Sequence, residues 1–304
     1  MPAPGRSGDH ETDARRRSRW VPYALLSPGV LWLVLFFLVP LWALLRMSLS
    51  TQESRFDFDP GFSWDWSNYT DALSTFSAQF GRSFWYAAIA TVLCILISFP
   101  IAYVLAFRAG RWRTLLLGLV VIPFFTSFLI RTIAWQTVFF DDGPLLSTLD
   151  ALRLIGPLES LGVAENGGLL GTSTAVIGGL TYNFVPFMVL PIYVSLEKIE
   201  PKLLEASRDL YANGWSTFRK VVLPLSLPGV FAGSLLTFIP AAGDFINARF
   251  LGGPNNTMIG SVVQDRYLVQ LDYPTAAAIS FILMAIITIG VLVYARLLGT
   301  DDLV

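Results

Sequence analysis

Six long apolar runs decide what this chain can fold into. A helix needs about 20 apolar residues to cross roughly 30 Å of hydrocarbon, and residues 21–45, 84–107, 114–140, 167–196, 221–250 and 273–295 each meet that length. Only Arg131 interrupts the third run, and Asp244 and Arg249 the fifth. Charged residues make up 14% of the 304 residues, against about a quarter in soluble domains. The runs therefore predict an all-α membrane protein with six transmembrane helices. Pro224 and Pro228 suit the start of a helix better than its middle, which puts the start of the fifth span near Leu227. Pro100, Pro123, Pro186 and Pro191 lie inside spans and are expected to kink them.

The charges between the runs set the orientation. Arg6, Arg15, Arg16, Arg17 and Arg19 precede the first span, Arg108, Arg111 and Arg113 follow the second, and Lys198, Lys202, Arg208, Arg219 and Lys220 follow the fourth. The positive-inside rule makes these segments cytoplasmic, so both termini are expected in the cytoplasm. Acids collect in the other three loops, among them Asp57, Asp65, Asp142, Glu165, Asp265 and Asp272. Residues 1–19 are polar and charged enough to read as a disordered cytoplasmic tail, ahead of one transmembrane domain over residues 20–304. The first span is too long for a signal-peptide core, and no A-x-A site follows it. Residues 50–83 carry Trp64, Trp66 and Tyr69, which suit either an anchor at the lipid–water interface or a docking surface for an external partner. Residues 141–170 read as a loop holding one small helix.

The inventory of reactive groups is sparse. One histidine, His10, and one cysteine, Cys94, cannot form a catalytic triad, a disulfide or a Cys/His metal site. No Gly-Lys pair exists to form a phosphate-binding P-loop. A net charge of −1 supplies no basic field for nucleic acid. An integral-membrane enzyme is thereby disfavoured, and any driving energy must come from a partner or a gradient. Cys94 reads as a small buried apolar residue.

The segment EKIEPKLLEASRDLYANGWSTFRKVVLP, residues 197–224, is too long and too regular for an ordinary connection. Leu203, Leu204, Ala206, Leu210 and Tyr211 recur at helical spacing after Pro201, a good first helical residue. Asn213-Gly214 supplies a turn, and Trp215, Phe218, Val221 and Val222 open a second amphipathic piece. A helix–turn–helix on the cytoplasmic face follows. Amphipathicity alone also fits a helix resting on lipid, although Glu205 and Asp209 suit an anionic inner leaflet poorly.

The same residues resemble the EAA loop of ABC importer permeases, whose pattern is E-A-A, three residues, Gly, nine residues, a branched apolar residue, any residue, Leu-Pro. Here Glu205-Ala206-Ser207 is followed at the same spacing by Tyr211, in the glycine position, and by Val221-Val222-Leu223-Pro224. Ser207 replaces the second alanine, a mild change. Tyr211 replaces a glycine that permits the turn, and Gly214 is the candidate to supply the left-handed conformation instead. Residues 122–139, 243–264 and 273–280 resemble the spermidine/putrescine branch of that family.

The resemblance implies an ABC type I importer permease, in the bacterial cytoplasmic membrane, performing no covalent chemistry. It implies an ATP-binding subunit dimer that holds ATP and magnesium, a second homologous permease subunit, an extracytoplasmic solute-binding protein and a small cationic solute. Residues 197–224 would be the coupling element, with Glu205 a polar contact to the ATPase. A permease for another small cationic or phosphonate-like solute, or a stand-alone secondary transporter, are the rival readings; the last leaves the EAA loop without a role.

Ionisable residues inside a span cost about 2.5–3.5 kcal/mol on insertion scales, so they usually face a cavity or a partner helix. Span orientation puts Arg131, Asp244, Asn247 and Arg249 toward the outer half. Asp244 could attract a cationic solute, with Trp135, Tyr182, Asn183 and Asn247 offering π faces and hydrogen bonds. Arg131 and Asp244 could equally form a structural ion pair. An unneutralised Arg131 in the path would repel a polyamine.

Overall fold

A computed structural model describes residues 9–297 apart from 55, 58, 59, 141, 161 and 166. The described residues are almost entirely helical, with only isolated β-bridges between segments. Five helices are long and apolar enough to cross a membrane: α1 (Val21–Ser48), α2 (Ser67–Phe107), α7 (Ser173–Glu197), α9 (Gly214–Ala242) and α12 (Tyr273–Arg296). The expected third span is broken. Its first arm, α3 (Gly110–Phe125), meets the following arm, Phe128–Ala151, at 94°, with α4 (Phe128–Phe139) and α5 (Pro144–Ala151) inside the second arm. Thr126 and Ser127 at the break are extended, with ψ of 140° and 136°. Pro123 lies in the 3-10 turn leading to it, whereas Pro100, Pro186 and Pro191 sit within unbroken helices.

Other boundaries also move. The helix carrying α1 begins at Asp9, and residues 1–8 of the expected tail lie outside the described residues. α2 starts at Ser67, well before the apolar run, and has a non-helical step at Phe76. Residues 141–170 hold two short helices rather than one, α5 and α6 (Ile155–Ser160). The helix that carries the fifth span begins well before Leu227. α9 is continuous from Gly214, and a π turn at Phe218–Val222 carries the chain past Pro224. The Leu223 N–H reaches back five residues to the Phe218 carbonyl. This wider turn sets back the carbonyl that the Pro224 ring would otherwise strike. The span also ends early, at Ala242, and the chain resumes as α10 (Ile246–Leu251) and α11 (Ile259–Gln264).

The core forms where α2, α7 and α9 pack on one another. α2 presents Ala87, Ala90, Cys94, Ser98 and Ala102, buried small residues three or four apart that let two backbones approach. The Cys94 thiol donates to the Thr181 carbonyl and the Ser98 hydroxyl to the Val185 carbonyl, at 3.4 and 3.2 Å. α9 meets α7 through Gly229 and Gly233. α1 packs on α12 through its last part, Val39–Ser48, and its most apolar stretch is exposed throughout.

Beyond α9, residues 252–259 are tied down by side chains of α2. Arg82 Nη1 donates to the Thr257 carbonyl (2.9 Å), the Tyr86 hydroxyl to Asn256 Oδ1 (2.9 Å), and the Ile259 N–H to Ser83 Oγ (2.7 Å). Gly260 accepts close contact there, since a Cβ would lie 2.9 Å from the Asp244 carbonyl oxygen.

Candidate functional site

The expected helix–turn–helix is present. α8 (Pro201–Asp209) ends in a Schellman closure, with Tyr211 at φ 57° and the Ala212 N–H donating to the Ser207 carbonyl at 3.0 Å. The left-handed residue is therefore Tyr211 itself. Gly214 does not supply that conformation. It opens α9, whose first turn is capped by Asn213 Oδ1 accepting the Ser216 N–H at 2.8 Å. Ser207, at the second alanine position of the motif, is buried, and its hydroxyl lies 3.0 Å from that of Thr217, tying α8 to α9. Leu204, Phe218 and Leu223 pack on the core, and Phe218 meets Phe99 of α2 edge-on at 5.5 Å. Glu205, Ala206, Asp209, Leu210, Tyr211 and Trp215 are left on the surface.

A tyrosine in the left-handed region costs roughly 1–2 kcal/mol relative to a residue free of that clash, and at 98% exposure Tyr211 recovers little by packing. Tyr211→Gly should stabilise the turn by about 1 kcal/mol after glycine's own entropy cost. Hydrogen exchange at the Ala212 amide is expected to slow about fivefold; unchanged exchange would mean that the strain is absorbed elsewhere.

The expected pathway residues divide among three places. Arg131 and Asp244 line one cavity of about 710 Å³, walled also by Phe124, Phe128, Phe184 and Phe187. It opens where both helix breaks meet: Thr126 and Ser127 from the broken third span, Gly243 and Phe245 from the step after α9. Asp244 is 8% exposed, and its Oδ1 accepts the Asn247 N–H at 2.7 Å, which caps α10. Asn183 and Asn247 are fully buried in a hydrogen-bonded group with Thr132. The Asn183 amide nitrogen donates to Asn247 Oδ1 at 3.2 Å and to the Thr132 hydroxyl at 3.4 Å. Trp135 and Tyr182 line a separate cavity of about 530 Å³, with their rings edge-on at 5.1 Å. The breaks and the phenylalanine walls had no distinct signal in the sequence; only the charges did.

Among the described residues, five helices of spanning length, one broken span and a paired-helix loop running into the fifth define a multi-pass membrane protein. It belongs to the family of binding-protein-dependent transport system inner membrane components, whose model matches residues 98–298. The chain is 37% identical over 268 residues to the spermidine/putrescine transport system permease protein PotB of Haemophilus influenzae, covering 87% of this chain and 90% of that one. PotB of Escherichia coli strain K12 is 36% identical over 267 residues, with 87% and 93% covered. The inner membrane ABC transporter permease protein YdcU of the same strain is 34% identical over 226 residues, with 73% and 71% covered.

Among solved structures, a bacterial ABC transporter involved in the import of the acidic polysaccharide alginate superposes with a TM-score of 0.62 at 17% identity, over 94% of this chain and 98% of that one. The MetNI methionine ABC transporter gives 0.56 at 17%, over 74% and 95%. At these identities the likeness establishes the fold, that of an ABC importer permease. The chain is a permease subunit and not an enzyme.

Proposed function

We propose that this chain translocates a polyamine, spermidine or putrescine, across the bacterial cytoplasmic membrane by alternating access. The observation that carries the reading is the similarity to spermidine/putrescine permeases over most of both chains. The cavity supports it physically. A buried carboxylate beside phenylalanine faces gives a desolvated ammonium both a counter-charge and cation–π contacts. Arg131 in the same cavity is the one observation that favours an anionic, phosphonate-like solute instead, and the uptake experiment below decides between them.

In this reading both termini and the 197–224 loop face the cytoplasm, as the basic residues require. Glu205, Ala206, Asp209, Tyr211 and Gly214 dock in an ATP-binding subunit, and Ser207, Leu223 and Pro224 join the docked piece to the span. ATP and magnesium belong to the dimer of that partner. A second, homologous permease completes the path, and an extracytoplasmic binding protein delivers the solute to the outer loops. Closure of the ATPase dimer would move the loop as a rigid body and α9 with it.

The test is ATP-dependent uptake of labelled spermidine and putrescine by proteoliposomes holding this chain, its second permease, ATPase and binding protein. Uptake requiring all four supports the proposal. Assembly with ATP hydrolysis but no polyamine uptake discards the substrate and keeps the importer. Uptake by this chain alone would establish the secondary-transporter reading. Glu205→Lys should leave the chain in the membrane and lower solute-stimulated ATP hydrolysis at least tenfold, since reversing one charge in a docked interface costs several kcal/mol. Normal stimulation would remove Glu205 from the contact.

A further inference from the structure

The turn between α8 and α9 carries apolar side chains that the fold of this chain does not use. Leu210, Tyr211 and Trp215 are each more than two-thirds exposed, and Glu205 and Asp209, in the helix leading to them, are exposed as well. Trp215 is still held by the bundle. Its ring stacks on that of Phe218 at 5.5 Å, and Phe218 meets Phe99 of α2. Tyr211 has no such support.

The backbone makes Tyr211 the more unusual. At φ 57° it closes the helix in the left-handed conformation, where every side chain but glycine's is strained. Strain of this kind persists where the surroundings over-determine it. Two other left-handed residues have surroundings of their own: the Trp64 ring lies against that of Phe62 at 4.8 Å, and Leu271 is half-buried. At Tyr211 the hydrogen-bonded turn needs only the backbone, and the ring returns nothing to this chain. Whatever makes use of the ring lies outside it.

Two surfaces meet a cytoplasmic loop of a membrane protein, the inner leaflet and a protein partner. The anionic leaflet repels Glu205 and Asp209, and a fluid layer of headgroups has no fixed cavity for a single ring. A folded partner has one. The motif that this loop resembles carries glycine at the position of Tyr211, and glycine projects nothing into a partner, so the ring needs room that a surface shaped for glycine does not offer.

We infer that Tyr211 is the residue by which this permease selects its ATP-binding subunit. Its ring enters an apolar socket on that subunit, and basic side chains at the rim answer Glu205 and Asp209. An aromatic ring seated in a desolvated pocket carries a large share of an interface's affinity, and its clash with a surface that lacks the pocket excludes the wrong partner. This rests on the reading that the 197–224 loop docks in the ATPase.

The experiment titrates the two permeases together, in lipid nanodiscs, with the labelled ATP-binding subunit and reads the dissociation constant. Tyr211→Gly and Tyr211→Asn both admit the left-handed backbone and both remove the ring. Each should weaken binding at least about tenfold, whereas Tyr211→Phe, which keeps the ring, should stay within about threefold of the unaltered chain. The glycine variant decides the sign, because relief of strain alone would leave its binding equal or tighter. Exchange at the Ala212 amide, no faster in the glycine and asparagine variants than in the unaltered chain, shows that the turn persists in both.

The same four proteins are then titrated with the ATP-binding subunit of an importer whose permease has glycine at this position. The order should reverse, with Tyr211→Gly binding at least about tenfold tighter than the unaltered chain. Equal affinity of all four for their own ATPase overturns the anchor and leaves the ring to lipid or water. A loss with their own ATPase and no reversal with the other overturns the selective role. An unaltered pair that binds no ATPase removes the docking reading itself, and the anchor with it; that outcome is distinct from binding that Tyr211 does not affect.

Discussion

Replacing Asp244 by asparagine should lower the transport efficiency for spermidine by about thirtyfold or more, the equivalent of at least roughly 2 kcal/mol, the lower end for truncating one partner of a buried charge pair. The change keeps an oxygen that can accept the Asn247 N–H and so cap α10, and assembly should survive. Loss of the charge removes the only carboxylate among the described residues that line the cavity with Arg131, leaving a field that repels cations. The measurement is initial uptake rate against spermidine concentration in proteoliposomes, with complex formation checked by co-purification. Uptake kinetics equal to those of the unaltered complex would remove Asp244 from the path. Asp244→Glu keeps the charge on a longer stem and should recover part of the rate.

The largest effect on the fold is expected at Gly229. A Cβ there would lie 2.5 Å from the Pro191 carbonyl oxygen and 2.8 Å from the Ser195 Cβ, both on α7. A backbone oxygen cannot step aside as a flexible side chain can, so Gly229→Val must push α9 away from α7. Overpacking of this kind costs about 1–3 kcal/mol, and the upper end is expected because the α7–α9 contact is central to the bundle. Gly233, one turn on, is gentler, since its nearest neighbour at 2.6 Å is the Met188 Sδ, part of a flexible side chain, and the Met188 backbone lies no nearer than 3.2 Å. Gly290→Val on α12, where a Cβ meets nothing within 4 Å, is the control. Thermal unfolding of the purified complex should show a lower midpoint for Gly229→Val and an unchanged one for Gly290→Val. Equal midpoints for all three proteins would mean that the two helices separate freely at this contact.

What the sequence made legible follows from where its patterns are one-dimensional. Uninterrupted apolar runs marked α2, α7 and α12, and the amphipathic spacing after Pro201 marked α8 and the start of α9. The motif spacing through Glu205, Tyr211 and Pro224 pointed to the loop by resemblance, but spacing carries no backbone angle. It could not show that Tyr211 adopts the left-handed conformation while Gly214 begins a helix. Nor could it separate Pro123, beside a break, from Pro100, Pro186 and Pro191 in unbroken helices, since what distinguishes them is the surrounding packing. The polar start of α2, Ser67 to Ser83, reads as loop because its helix is supported by contacts such as Ser48 Oγ to the Tyr69 hydroxyl at 2.6 Å, 21 residues apart.

The charges inside spans singled out Arg131 and Asp244 as residues of interest, and the structure puts both on one cavity. The aromatic and amide partners suggested for them lie elsewhere, Trp135 and Tyr182 in another cavity, Asn183 and Asn247 in a buried polar group with Thr132. Which side chains share a cavity depends on how α4, α7 and α9 cross, and periodicity along one helix is silent on that. Gly229 and Gly233, one turn apart on α9, fit the close α7–α9 approach.

The π turn at Phe218–Val222 gives α9 two independent angular settings. A π turn carries one residue more than an α turn, and one residue is about 100° of rotation around the axis. Trp215 and the Asn213 cap before the turn are therefore aimed by that extra residue, while Gly229 and Gly233 after it are aimed by α7. Deleting a single residue within 218–222 would keep a membrane helix and keep its packed face, yet swing the loop about 100° around the helix. The bearing of the loop would be lost, so the aim of this lever is stored in the count of residues in one turn.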